Sequence, residues 1–109
     1  MATMQQTPAL FKPVKVGHIT LQHRVVLAPL TRLRAYASHV PGPHQASYYS
    51  QRASAPGSLL ITEATVISHN AGGLAHVPGI YTDAQIQGWK RVRLFLQSIL
   101  ARLTVCACR

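Results

Sequence analysis

Acidic residues are almost missing from this 109-residue chain. Glu63 and Asp83 stand against eleven lysines and arginines, which gives a formal net charge of +9. Such an excess suggests nucleic acid, an anionic membrane or an acidic partner. The basic residues are scattered, however, and no zinc framework or arginine-rich recognition helix accompanies them. We therefore expect no nucleic-acid binding, and we attribute the imbalance to the loss of a larger, more acidic remainder.

Cysteine is also scarce, since Cys106 and Cys108 are the only two. This pair lacks the further ligands that a zinc site needs, and a disulfide between residues two apart would be strained. Free thiols in a reducing compartment, and hence a cytoplasmic location, are expected. The N-terminus lacks the apolar segment of a signal peptide. No apolar run is long enough to span a membrane.

The strands are predicted from short apolar runs. Val14 to Val16 and Ile19 to Leu21 alternate in polarity around Gly17, which predicts a hairpin. Two further runs, 24–28 and 58–63, predict buried strands. Pro29 ends the first of these, because proline donates no hydrogen bond to a sheet.

Two helices are predicted between and after these strands. Gly42 and Pro43 favour the start of the first helix, and Pro56-Gly57 lies beyond its end. Its inward face is predicted to carry Ala46, Tyr49 and Ala53. Thr82 and Gln85 form a capping box for the second helix, with Asp83 in its first turn. The apolar stripe of that helix is Ile86, Trp89, Val92, Leu96, Ile99 and Leu103.

The element order is therefore a hairpin followed by two strand-helix units. Repeated units of this kind build parallel α/β folds, in which ligands bind beyond the carboxyl ends of the strands. The fold class expected is α/β, as the incomplete N-terminal part of a TIM (β/α)8 barrel. A complete barrel typically takes about 250 residues. We divide the chain into a leader (1–9), the barrel part (10–92) and a divergent basic tail (93–109) that is predicted to be helical.

Three sequence blocks, at 10–35, 48–68 and 76–92, resemble the start of the Old Yellow Enzyme family of FMN-dependent ene-reductases. They include LAPLTRLRA, SLLITEATVIS and VPGIYTDAQIQGWKRV, in the order and spacing of the family. The amino-acid sequence of these blocks is most similar to the fungal branch that contains ergot-alkaloid ene-reductases and relatives of 12-oxophytodienoate reductase. The resemblance implies an FMN cofactor, NAD(P)H as reductant and a small-molecule enone as substrate.

The resemblance also implies which residues contact the flavin. Pro29, Leu30 and Thr31 would lie against the isoalloxazine ring, with Thr31 bonding near its O4 and N5 edge. Ala64 matches a small position at which the backbone approaches FMN closely. Read without the family, Thr31 is a strand cap and Ala64 a packing residue. For Glu63, an isolated acid at a strand end, we expect a structural role.

No catalytic residue is assigned, because the family's substrate-binding histidine and asparagine, its tyrosine proton donor and its phosphate site match nothing in this sequence. The tail from Arg93 onward resembles no family segment either. We therefore expect a truncated reductase without activity of its own and with open strand edges that favour self-association. The alternative is a non-catalytic protein whose basic amphipathic tail helix binds a membrane surface or a partner.

Overall fold

A computed structural model describes residues 6–97, 102–104 and 107–108. After a 3-10 turn, Ala9–Phe11, the chain forms an antiparallel hairpin of β1 (Val14–Val16) and β2 (Ile19–Leu21). Gly17 turns this hairpin with a φ of 59°, a left-handed conformation that glycine adopts without steric cost. The predicted hairpin is thus confirmed. Residues 1–5, most of the predicted leader, lie outside the described part.

A parallel sheet forms the centre of the fold. It consists of β3 (Val26–Leu27), β4 (Leu59–Ile61) and β6 (Arg102–Thr104), in the order β3-β4-β6. A second, two-stranded parallel sheet joins β5 (Thr65–Val66) to β7 (Ala107–Cys108). Strand β3 leads into a helix and then into β4, its parallel neighbour, which is the repeating unit of the expected barrel.

Both predicted barrel strands are shorter in the structure than in the sequence prediction. The amide of Arg24 donates to the carbonyl of Leu10, so this residue bonds away from the sheet. At the other strand, the Ser58 hydroxyl donates to the carbonyl of Ala55, and the Glu63 amide donates to the hydroxyl of Tyr49. Bonds to loops and side chains therefore replace sheet bonds at these strand ends.

The helices begin where the sequence predicts. Helix α1 (Pro43–Arg52) has Gly42 as its N-cap residue. Helix α2 (Asp83–Gln97) follows Thr82, whose hydroxyl accepts from the Gln85 amide while Gln85 Oε1 accepts from the Thr82 amide. The predicted capping box is confirmed. Among the described residues, no helix has the length and apolarity needed to cross a membrane.

The core lies between the two helices and strand β4. Tyr49 and Ala53 of α1 pack with Leu60 of β4, and α2 covers them with Trp89, Val92 and Leu96. Burial of the predicted stripe on each helix is therefore confirmed for these residues. Gly88 lets α2 approach the loop before α1, since a Cβ there would lie 2.9 Å from the carbonyl oxygen of Pro41.

Two loops are joined by a pair of histidines, which we term the histidine clasp. His39 and His76 both have left-handed backbones, with φ of 61° and 62°. The ring of His39 bonds to the carbonyl of Val77 at 2.6 Å, and the ring of His76 bonds to the carbonyl of Ala35 at 2.9 Å. The loop after β5, which carries His76, also contains a 3-10 turn, His69–Ala71, and a bridge joins Val66 to Gly79.

The prediction of a helical tail is wrong for Arg102–Thr104 and Ala107–Cys108, which are strands, while the tail's other residues after Gln97 lie outside the described part. Arg102–Thr104 form β6, which pairs in parallel with β4 so that Leu103 lies opposite Leu60. The helical stripe therefore does not include Leu103, and Ile99 lies outside the described residues. The physical reason is that β4 presents unpaired backbone groups on the side away from β3, and a strand satisfies them whereas a helix does not.

Candidate functional site

The carboxyl ends of β3 and β4 lie side by side. Val26 pairs with Leu59 and Leu27 with Leu60 in parallel register, so the connections that follow, 28–34 and 62–64, leave the same edge of the sheet. Parallel α/β folds bind ligands at this edge. All four predicted cofactor-binding residues lie on these two connections.

Glu63 joins the two connections through its side chain. Its Oε2 accepts a hydrogen bond of 2.9 Å from the backbone N–H of Arg32. The Glu63 amide donates to the Tyr49 hydroxyl at 2.9 Å, and the Glu63 carbonyl accepts from the Thr65 hydroxyl at 3.0 Å. Only 1% of Glu63 is exposed. This arrangement, the Glu63 brace, fits the structural role expected of that residue.

The predicted flavin neighbours flank this brace. Thr31 immediately precedes Arg32, and Ala64 immediately follows Glu63, so the brace sets the separation between them. Pro29, Leu30 and Thr31 are exposed, and Ala64 is half-buried. The geometry places all four on one edge of the sheet, while their contact with a cofactor stays a prediction.

Burial perturbs the two ionisable groups of the brace. Desolvation raises the pKa of Glu63 above the ordinary 4.5, although the backbone N–H groups of Arg32 and Leu33 and the Arg32 charge oppose that rise. Burial also raises the pKa of the Tyr49 hydroxyl, which stays neutral and serves as a hydrogen-bond acceptor. Burial therefore favours the neutral form of both groups, and the Tyr49 phenol keeps its proton.

A cleft of about 290 Å³ lies between the brace and helix α1. Its lining residues are Arg32, Arg34, His44, Gln45, Ser47, Tyr48, Gln51, Arg52 and Glu63. The guanidinium carbons of Arg32 and Arg52 lie 4.9 Å and 3.8 Å from the centre of the Tyr48 ring, within the range of cation–π attraction. The cleft is thus rich in cationic side chains.

The structure adds Tyr49 and Gln45 to the site residues that the sequence predicts. The 3-4 spacing of Tyr49 with Ala46 and Ala53 predicts a packing residue and gives no sign that its hydroxyl also accepts from the Glu63 amide. Gln45 follows Gly42 by three residues, the spacing of a capping side chain, and its Oε1 accepts from the Gly42 amide at 2.9 Å. That spacing was the available signal for Gln45.

Metal-binding side chains do not cluster in the described ranges. No group of three or more histidine, cysteine, aspartate or glutamate residues there is placed to hold a metal ion. His39 belongs to the clasp, whereas His44 lines the cleft on helix α1. Cys106 lies outside the described residues.

Comparison with known proteins identifies relatives over most of the chain. Residues 9–98 match the model of the NADH:flavin oxidoreductase / NADH oxidase family. The chain is 59% identical over 83 residues to a chanoclavine-I aldehyde reductase of Penicillium roqueforti. This alignment covers 76% of this chain and 22% of that protein. It is also 58% identical over 83 residues to 12-oxophytodienoate reductase 1 of Oryza sativa subsp. japonica. This second alignment covers 76% of this chain and 21% of that protein.

Solved structures share the fold. The old yellow enzyme homologue from Zymomonas mobilis superposes with a TM-score of 0.85 at 41% identity, over 92% of this chain and 28% of that one. Morphinone reductase, in complex with tetrahydroNAD, superposes with a TM-score of 0.84 at 46% identity, over 93% of this chain and 27% of that one. The fold is thus the N-terminal part of the Old Yellow Enzyme (β/α)8 barrel. The chain spans about a fifth of the length of these curated relatives. With 90 consecutive positions matched, the chain belongs to the NADH:flavin oxidoreductase / NADH oxidase family.

Proposed function

We propose that this chain supplies one wall of an FMN site in an NAD(P)H-dependent reductase of the Old Yellow Enzyme type. The observation that carries the proposal is the Glu63 brace, which fixes Thr31 and Ala64 on neighbouring strand ends at the ligand-binding edge of the sheet. The names of the relatives support it, because three of those compared above are named reductases.

The four residues fit the group they are proposed to hold. Pro29 and Leu30 are exposed and apolar and would hold the isoalloxazine ring, and Thr31, also exposed, would supply hydrogen-bond donors to it. Donors at its O4 and N5 edge stabilise the negative charge of reduced flavin. Ala64 has the small side chain that close backbone approach requires. The chemistry that FMN supplies when bound is hydride transfer from NAD(P)H to the C=C bond of an α,β-unsaturated carbonyl compound.

A single wall predicts weak binding. Ligand pockets bury most of a ligand's surface, whereas Pro29, Leu30 and Thr31 are exposed here and only Ala64 is half-buried. We therefore expect the 109-residue chain to lose FMN on desalting and to show no turnover. A stoichiometric flavin absorption band on the desalted protein would contradict this expectation.

An NMR titration tests the placement of the wall. With FMN added to ¹⁵N-labelled chain, the largest amide shifts are expected at Leu30, Thr31 and Ala64. Ala64→Val should reduce them, because the larger side chain blocks close approach, whereas Ala84→Val, at an exposed position of α2, should not. Shifts spread evenly over the surface, or an equal effect of the two variants, would refute the proposed site.

The membrane-binding alternative is less well supported. The apolar stripe of α2 is occupied, since Trp89, Val92 and Leu96 are buried in the core. Leu94 and Phe95 remain 65% and 58% exposed, which leaves a small apolar surface for an interfacial helix. We expect no co-sedimentation with anionic liposomes at low salt, and binding there would favour the alternative.

The remaining expectations concern location and assembly. We propose a cytoplasmic location, supported by the two cysteines that cannot form an unstrained bridge with each other. Self-association is proposed through β3, an outer strand of the three-stranded sheet, where Val26 is 40% exposed and the preceding Val25 is 49% exposed. Concentration-dependent elution in size-exclusion chromatography is the expected result. Nucleic-acid binding is not proposed.

A further inference from the structure

The cleft between the Glu63 brace and helix α1 concentrates positive charge that the described residues do not neutralise. Arg32, Arg34 and Arg52 line it together with a single carboxyl group, that of Glu63. One oxygen of that carboxyl already accepts from the backbone N–H of Arg32. Within residues 6–97, Arg34 has neither a carboxylate partner nor a hydrogen bond from its guanidinium. Three guanidinium groups thus surround a cavity with one acid in its lining.

A second observation points to the same cleft. In the described part of the chain, two buried side-chain atoms lack a hydrogen-bond partner, Gln45 Nε2 and Glu63 Oε1. Both residues line this cleft, and they are 2% and 1% exposed. Leaving a buried amide donor unpaired costs free energy. Gln45 Nε2 is a donor, so it is the atom of the two that an acceptor oxygen in the cleft would satisfy, and it indicates a ligand with acceptor oxygens there.

The chemistry of the lining selects the ligand. Gln45 Nε2 and the arginine guanidiniums are donors, and an oxyanion accepts from both types of group. His44 and Gln45 also lie in the first turn of the ten-residue helix α1, where the helix dipole favours negative charge. Two guanidiniums beside the Tyr48 ring repel each other, and an anion between them would relieve that repulsion.

We propose that this cleft binds a phosphate-type oxyanion, as inorganic phosphate or as the phosphate monoester of a small molecule. Arg34 and Arg52 supply the charge, and Gln45 supplies a fixed neutral donor. The site is on the helix side of the brace and not among Pro29, Leu30, Thr31 and Ala64, so it does not depend on the proposed flavin wall. Failure of FMN binding would leave this proposal intact, and the reverse also holds.

Isothermal titration of the full chain with inorganic phosphate, at constant ionic strength, tests the proposal. Saturable one-to-one binding is expected. Arg34→Gln should weaken it by about tenfold or more, the effect of losing one charge-assisted hydrogen bond. Gln45→Glu should weaken it similarly, because the change keeps the acceptor for Gly42 and replaces the donor by a charged oxygen. Circular dichroism would verify that both variants keep the helices.

The control is Arg93→Gln, which removes the same charge from an exposed position of α2. It should change the phosphate affinity by less than twofold. Non-saturable binding, or equal losses in Arg34→Gln and Arg93→Gln, would overturn the proposal and indicate general charge screening. Competition by NADP⁺ but not NAD⁺ would identify a phosphate monoester as the source, whereas phosphate binding that neither displaces would identify the free ion.

Discussion

Removing the hydroxyl of Tyr49 should destabilise the chain far more than the loss of one oxygen atom suggests. In Tyr49→Phe the ring keeps its packing, including the contact with Trp89 at 6.3 Å between ring centres. The backbone N–H of Glu63, in a residue that is 1% exposed, loses its acceptor at 2.9 Å. An unsatisfied buried donor costs about 1–3 kcal/mol. With a urea m-value of about 2 kcal/mol/M, a loss of about 2 kcal/mol lowers the unfolding midpoint by about 1 M.

Tyr48→Phe is the matched control for this measurement. The neighbouring tyrosine is half-buried, its hydroxyl has no hydrogen bond among the described residues, and its ring retains the arginine contacts after the change. Its free energy of unfolding should fall by less than about 0.5 kcal/mol. Equal midpoints for the two variants would refute the reasoning, because the buried Glu63 amide would then have no need of the Tyr49 hydroxyl.

Three further predictions concern the brace and the helix packing. The folded chain holds the Glu63 proton to a higher pH than the unfolded chain does, because burial raises its pKa above 4.5; the free energy of unfolding should therefore fall as the pH rises above about 4.5 and level off above the folded pKa. Glu63→Gln should reduce that slope in urea titrations between pH 4 and 7, and an unchanged slope would contradict the assignment. Gly88→Ala should lower the thermal midpoint, since its Cβ would lie 2.8–2.9 Å from Pro41 atoms, although helix propensity alone would favour alanine by about 1 kcal/mol. Trp89→Phe should cost about 1–3 kcal/mol in urea unfolding, because the indole N–H no longer donates to the Gly79 carbonyl at 3.1 Å; an unchanged midpoint would show that this bond contributes nothing.

Local signals in the sequence predict the elements whose stabilising contacts are also local. The hairpin at Gly17 and the capping box of Thr82 and Gln85 depend on residues no more than seven apart, and both form as predicted. The tail differs, since its apolar spacing favours a helix but Arg102–Thr104 pair with β4, more than 40 residues away. Pairing with the edge of a strand that is distant in the sequence therefore outweighs the local helical spacing of apolar residues in the tail.

The sequence predicts the edge of the sheet at which the candidate site lies, but not the hydrogen bonds that hold the site together. Two strands ending in polar residues indicate the edge at which Thr31 and Ala64 lie. The bond from Arg32 to Glu63 spans 31 positions and uses a backbone donor, which leaves no trace in side-chain patterns. The second role of Tyr49 is hidden for a similar reason, because an aromatic residue on a buried face is fully explained by packing.

The histidine clasp has a consequence for the protonation chemistry of the two loops. Carbonyl oxygens only accept, so the bonds to Val77 and Ala35 require His39 and His76 to carry hydrogen on Nδ1. That choice fixes the tautomer of each ring and leaves Nε2 as its hydrogen-bond acceptor. Each ring therefore ties its loop to the other through one donor and offers one acceptor nitrogen elsewhere. Long-range ¹H–¹⁵N spectra of both rings should display the Nδ1-H tautomer.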